Sequence, residues 1–267
     1  MQKYLKLITA AIILIIVSVL ALPLKANNNL YDVNDDINAL FKQANQLYQD
    51  GNYNNAIDTY KKLVNQGINN GHLYYNLANA YLKNEQVGKA ILNYRKAELL
   101  LPRNADIKAN LKFAREQTYD QIATGSDIEP VLKILAFWYY DLNLTEIIVL
   151  TIVINFIVCG ILVIKIFFKN NILKIVAIAG IIILVILFVS TSIKLINYFR
   201  ITDGVVITNQ AKLKSGHDDS YADLDLIHEG TEFQIDDQKK EWYKIKLKDG
   251  RRGWVNKKSI EIINLTI

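Results

Sequence analysis

The sequence predicts a multidomain membrane protein built as an all-α helical repeat array, a two-helix transmembrane hairpin and a C-terminal all-β barrel. Three observations carry this. A residue pattern recurs at an offset of 34 between residues 37 and 117. Two uncharged apolar stretches, Ile147–Ile164 and Ile175–Ile193, lie side by side. After Arg200 the chain turns to short alternating runs rich in β-branched and aromatic residues.

The N-terminal residues 1–26 read as a secretory signal. Lys3 and Lys6 precede an apolar run from Leu7 to Leu20, broken only by Thr9 and Ser18, and Ala21 and Ala26 are the expected cleavage points. A lipoprotein signal is excluded, because the only cysteine, Cys159, lies in an apolar stretch. One cysteine also rules out a disulfide framework, so any exported module must be stable through packing alone.

In the array, Ala56, Ile57 and Tyr60 recur as Ala90, Ile91 and Tyr94, and Ala44 and Asn45 recur as Ala78 and Asn79. Small residues where helices approach and aromatics on the facing helix, at this period, resemble the tetratricopeptide repeat. The resemblance gives repeats over 37–70 and 71–104, the second ended by Pro102, then a capping helix over 105–117. Residues 118–145 are expected to pack back on the array, since two full repeats are few for independent stability. The family binds peptides or partner proteins in a groove. By position, the groove residues here are Phe41, Asn45, Tyr48, Tyr75, Asn76, Asn79, Leu82 and Lys83. Asn45 and Asn76 match the family's carboxylate clamp, but Phe41, Asp106 and Asn110 stand where its cations belong. The expected groove therefore presents aromatics and amides rather than a site for a C-terminal carboxylate.

The hairpin is expected as spans over 146–168 and 175–194 around a cytoplasmic loop, 169–174. The uncharged stretches count 18 and 19 residues, against the roughly 20 that a spanning helix needs. Soluble core helices rarely stay apolar all round at this length. Lys165, Lys169 and Lys174 put the loop inside by the positive-inside rule. An exported signal then places both flanking modules on the periplasmic side of a bacterial inner membrane. The run Phe137, Trp138, Tyr139, Tyr140 suits the outer lipid interface.

Over residues 203–264, Val205–Thr208, Thr231–Ile235, Trp242–Leu247 and Arg252–Val255 read as strands, with a hairpin at Asp249-Gly250 and a polar loop at Gln210–Asp225. The series Glu241-Trp242-Tyr243-Lys244-Ile245, Asp249-Gly250, Gly253-Trp254-Val255 resembles the bacterial SH3-like domain. Some members of that family bind cell-wall peptides, which makes Trp242, Tyr243 and Trp254 the candidate ligand face.

The net charge of +5 does not point to nucleic acid. Basic excess sits in the signal (+3) and around the hairpin (+4), whereas residues 27–145 and 203–267 each carry −1. His72, His217 and His228 form no metal-ligand spacing, and no phosphate or dinucleotide fingerprint occurs. No catalytic residue, metal or cofactor is expected, and the chain reads as non-enzymatic. In its order of signal, repeats, hairpin and barrel, and in the run Asn110-Leu111-Lys112-Phe113-Ala114-Arg115, the chain is similar to the BatE-type proteins of the Bacteroides aerotolerance operon. That resemblance implies an inner-membrane scaffold. Its implied partners are membrane-anchored envelope proteins, von Willebrand A-domain proteins of the same operon among them. The alternative is an envelope receptor whose barrel senses a peptidoglycan peptide.

Overall fold

The computed structural model describes residues 30–120, 136–168, 170–199 and 203–265. The expected signal, residues 121–135 of the expected packing segment, Lys169 and Arg200 lie outside the described residues. The chain divides into two compact units. One holds the apolar helices; the other joins the residues on either side of them, the helical array and the sheet.

The array has five helices: α1 (Leu30–Gln49), α2 (Tyr53–Asn65), α3 (Gly71–Lys83), α4 (Val87–Leu100) and α5 (Ala105–Glu116), each packed on the next. Ala44, Ala56, Ala78 and Ala90 are completely buried. A methyl group at these four places lets neighbouring helices approach closely, and Tyr60, Leu63, Leu73, Ile91 and Tyr94 fill the space between them. Asn70 caps α3 by accepting from the amides of His72 and Leu73, and Asn104 caps α5 by accepting from Ile107. The α1–α2 turn runs through Gly51 at φ 76°; the matching place in the α3–α4 turn is held by Glu85 at φ 60°.

The second unit comprises α6 (Phe137–Tyr140), α7 (Leu144–Phe167) and α8 (Asn171–Phe199). Both α7 and α8 are long and apolar enough to cross a membrane. They are not core helices of a folded globule, because only 22% and 11% of their apolar windows are buried within the chain. α7 opens with a capping box, in which Asn143 Oδ1 accepts from the Glu146 amide and Glu146 accepts from the Asn143 amide. α8 starts earlier than the hydropathy pattern suggests. Asn170 Oδ1 accepts from the Ile172 amide, and no helix breaker follows, so Lys174 lies within the first turn of the helix rather than in a loop. The two helices meet through Thr151 and Thr191, whose hydroxyls are 2.9 Å apart. Lys194 Nζ donates to the carbonyls of Tyr139, at 2.6 Å, and Leu142, tying α6 to α8.

The C-terminal sheet is antiparallel, with seven strands in the order β3-β2-β6-β5-β4-β1-β7. The strands are β1 (Asp203–Val206), β2 (Gln210–Lys214), β3 (Asp223–His228), β4 (Glu232–Lys239), β5 (Trp242–Leu247), β6 (Arg252–Asn256) and β7 (Ile260–Ile262). The expected polar loop at Gln210–Asp225 needs correcting, since its ends are the strands β2 and β3. Lysines hide the period: Ala211 and Leu213 point inward between exposed Lys212 and the ends of the strand. Lys214 is itself only 6% exposed, held by Asp223 and by the carbonyls of Asp219 and Tyr221. The sheet closes on Val206, Leu213, Ile227, Phe233, Ile245, Leu247 and Val255.

Candidate functional site

The groove positions lie on α1 and α3, and the hydrogen bonds between them form a repeated pattern. Asn45 Oδ1 accepts from the Tyr60 hydroxyl at 2.6 Å and from Asn76 Nδ2 at 2.9 Å. One period later, Asn79 Oδ1 accepts from the Tyr94 hydroxyl at 2.5 Å and from Asn110 Nδ2 at 3.1 Å. A third helix thus joins the ladder, because Asn110 lies on α5 and also donates to the Tyr75 hydroxyl at 3.1 Å. Burial pushes the Tyr60 phenol up to about 12, the hydrogen bond with Asn76 working the other way. Burial pushes Tyr94 up as well. Both phenols therefore stay protonated and donate to the two asparagine oxygens.

The aromatic positions repeat too. Phe41 meets Tyr60 edge-on with ring centroids 6.1 Å apart, and Tyr75 meets Tyr94 at 6.0 Å. Tyr48 stacks at a tilt on Tyr53, and both Tyr48 and Leu82 are half-buried against the array core. Lys83, at the end of α3, is exposed. The structure thus brings Phe41, Asn45, Tyr75, Asn76 and Asn79 onto one surface. Asn110 completes it, and the buried Tyr60 and Tyr94 support it from within. Their positions at the period of 34 were visible in the sequence, but not their role in orienting the amides.

The sheet docks on the array through a different set of residues. Val205 and Ile263 join the hydrophobic core of the array rather than that of the barrel. Close approach depends on two glycines. A Cβ on Gly88 would lie 2.4 Å from the Val206 carbonyl oxygen, and one on Gly230, at φ 86°, would lie 2.4 Å from Thr118 Cγ2. The Gly88 amide donates to Glu229 Oε1 at 2.9 Å.

Two polar clusters seal this junction. Glu232, whose side chain is 10% exposed, takes Arg115 Nε at 2.5 Å and Nη2 at 3.0 Å, with Arg95 Nε at 3.4 Å and Lys248 Nζ at 3.6 Å. Burial raises its pKa, but the Arg115 hydrogen bond and the charges of Arg95, Arg115 and Lys248 outweigh that and hold it below the ordinary value. Arg95 also reaches Glu98 at 2.6 Å and Asp203 at 3.5 Å. Its Nε is the only buried side-chain nitrogen or oxygen among the described residues without a hydrogen bond. The 3.4 Å approach to Glu232 is an ion-pair contact without hydrogen-bond alignment. In the other cluster, Asp120 accepts from the His228 amide and the Thr231 hydroxyl, both at 2.7 Å, while its other oxygen is 3.2 Å from His228 Nδ1. The Tyr119 ring covers that imidazole with centroids 4.3 Å apart. Burial raises the Asp120 pKa, and the donors from His228 and Thr231 bring it below the ordinary aspartate value.

The three barrel aromatics do not form one surface. Trp242 and Tyr243 are neighbours on a strand and point to opposite faces. Trp242 and Trp254 are only 7% and 8% exposed, Trp254 lying against His217 with centroids 5.3 Å apart. Tyr243 is half-buried against the barrel core and carries Lys257 Nζ 5.0 Å from its ring. Trp242 lines a cavity of about 390 Å³ with Gln210, Lys212, Leu226, Asn256 and Ser259.

No curated protein matches this chain. Residues 209–261, from the start of β2 into β7, match the model of one family, the Bacterial SH3 domain, so the C-terminal sheet of this chain is similar to that domain.

Proposed function

We propose that this chain is a non-enzymatic scaffold of the bacterial inner membrane that gathers partner proteins in the envelope. Its array is of the tetratricopeptide type and holds partners in the groove of α1, α3 and α5. The observation that carries this reading is the repeated amide–tyrosine ladder. It occupies the face built from Asn45, Asn76, Asn79 and Asn110, whereas the barrel docks through Gly88, Arg95, Arg115, Thr118 and Asp120. The barrel thus completes the array without filling the groove.

The docking also supports a hairpin topology. Array and barrel share a buried junction, so both lie on one side of any membrane, and the two apolar helices between them then cross it together or not at all. A signal at the N-terminus would make that side periplasmic. The BatE-type resemblance favours von Willebrand A-domain membrane proteins as partners and a role in aerotolerance. The test is co-purification from detergent extracts after cross-linking. Tyr75→Ala with Asn79→Ala is expected to lose the partners while the chain stays folded, and undiminished recovery would sink the groove reading.

A second reading rests on the cavity beside Trp242 and on the match to the Bacterial SH3 domain, which is consistent with peptidoglycan or protein binding. In it the barrel senses a cell-wall peptide. Titrating peptidoglycan fragments into the full chain while following tryptophan fluorescence separates the two readings; an unchanged signal would remove this one.

A further inference from the structure

The outer face of the barrel carries a row of charge beside the array. Strand register aligns Asp203, Gln234, Lys246 and Arg252 across β1, β4, β5 and β6, so these four side chains share one face. The ends of the row have opposite charges to meet. Asp203 lies 3.5 Å from Arg95 Nη2 on α4, and Arg252 Nε lies 3.6 Å from Asp236. Lys246 is paired directly with Arg252, a like charge, and its side chain makes no ion pair or hydrogen bond among the described residues. Like charges directly opposite on a sheet are destabilising unless something neutralises them.

Lys246 lines a cleft of about 260 Å³ between α4 and the β4–β5 pair, together with Arg95, Gln234 and Lys248. The carboxylates there do not satisfy its cations. Glu232 is shared by Arg115, Arg95 and Lys248, and Arg95 Nε is buried without a hydrogen bond. Burial pushes the Lys248 ammonium below its ordinary value, and the charges of Arg115 and Arg95 push the same way, against the pull of Glu232. An added anion relieves Lys246, Lys248 and Arg95 together. The donors still available decide its kind. The Nη nitrogens of Arg95 already meet Glu98 and Asp203, and Arg115 spends its fork on Glu232, so no guanidinium fork is open for a flat carboxylate. Two compact ammonium groups, the Gln234 amide and one N–H of Arg95 are left. Point charges and donors that come from two strands and a helix suit a tetrahedral oxyanion. At about 30 Å³ for each water-sized volume, the cleft has room for a phosphate group and a few carbons.

We infer that the cleft between α4 and the β4–β5 pair binds a phosphate group, free or on a small soluble ester, through Lys246 and Lys248 with Arg95 and Gln234. The ligand touches array and barrel at once, so it binds the docked junction in preference to the parted one and stabilises it by mass action. The site is separate from the asparagine face of α1, α3 and α5 and from the cavity beside Trp242. It therefore adds a small-molecule input to the chain without competing with either surface.

The test uses the full chain in a phosphate-free detergent, titrated with sodium phosphate and, at equal ionic strength, with sodium chloride. Isothermal titration calorimetry and the thermal midpoint are read in parallel. Phosphate is expected to bind with half-saturation at about 0.1–1 mM, inside the ceiling for so small a ligand, and to raise the midpoint where chloride does not. Lys246→Gln removes a side chain that has no partner in the fold. It is expected to keep the midpoint in chloride and to weaken phosphate binding about tenfold, the scale of one charge-assisted hydrogen bond. Lys240→Gln takes the same charge from the turn between β4 and β5 and is expected to bind phosphate as the natural chain does. The inference is overturned if calorimetry finds no saturable binding up to about 20 mM phosphate, if Lys246→Gln binds as tightly as the natural chain, or if Lys240→Gln loses as much as Lys246→Gln. Equal rises in phosphate and in chloride also overturn it, because they report screening alone.

Discussion

Arg115 and Glu232 face each other across 117 residues of sequence, with Nε 2.5 Å from Oε1 and Nη2 3.0 Å from Oε2. The two-pronged contact joins the last array helix to β4, and both apolar helices lie between its members in the chain. With Arg95 and Lys248 converging on the same carboxylate, Glu232 is the charge on which the junction depends. Glu232→Ala leaves Arg115 without its carboxylate and beside Arg95, which keeps Glu98 and Asp203. A loss of about 3–5 kcal/mol is expected, the usual result of removing one partner from a buried pair. Urea unfolding of the full chain checks this. A single transition that stays where it was would mean the junction is held by Val205, Ile263 and the glycines instead.

Gly230→Ala strikes the junction from the backbone. The residue sits at φ 86°, and an added Cβ meets Thr118 Cγ2 at 2.4 Å. Left-handed backbone in an L residue costs about 1–2 kcal/mol by itself. The clash adds to it and pushes the barrel off α4. Hydrogen exchange at the Gly88 amide, which donates to Glu229, reports the opening directly. Undisturbed protection there would contradict the close approach.

Acid sensitivity follows from Asp120. Its pKa is held below the ordinary aspartate value by the His228 amide, the Thr231 hydroxyl and the His228 ring, against the upward push of burial. A carboxylate whose pKa drops on folding stabilises fully above its unfolded value, near 4, and this is lost as pH falls through the lower folded value. Glu232 is shifted in the same direction and adds to the same acid limb. Asp120→Asn is expected to be less stable than the natural chain at neutral pH and to show a flatter decline below about pH 4. Urea midpoints measured between neutral pH and pH 3 decide it; parallel curves would refute the assignment.

Glu85→Gly is expected to stabilise. Glu85 holds φ 60° at the place that Gly51 fills one repeat earlier. Relief of strain exceeds the added freedom of glycine in the unfolded chain, for a net gain of about 0.5–1 kcal/mol. A raised thermal midpoint checks it, and a lowered one would indicate that the Glu85 side chain contributes more than its backbone costs.

Much of the array was legible because helix packing is periodic. The alanines at 44, 56, 78 and 90 stand where chains must approach, and all four are completely buried. The apolar helices were legible for a different reason, since length and lack of charge are properties of the sequence alone. β2 escaped notice because lysines alternate with its inward residues, and because Lys214 is buried through partners far from obvious in the sequence; β3 escaped because Ile227 is its one buried residue while Leu224 and Leu226 are exposed. The ligand-face trio failed as a single surface for a simple geometric reason: Trp242 and Tyr243 are adjacent on a strand.

The sequence by itself determined the order of modules, the repeat period, the two long apolar helices and the amide-rich character of α1 and α3. All of these rest on local periodicity and composition. Only the tertiary structure decided that Tyr60 and Tyr94 orient the asparagines, that Asn110 completes the second rung, and that the barrel seats on α4 and α5 through Gly88, Gly230, Glu232 and Asp120. Those contacts span sequence separations beyond 100 residues at the junction. They depend on shape and charge meeting across a folded surface, and no local pattern encodes such a meeting.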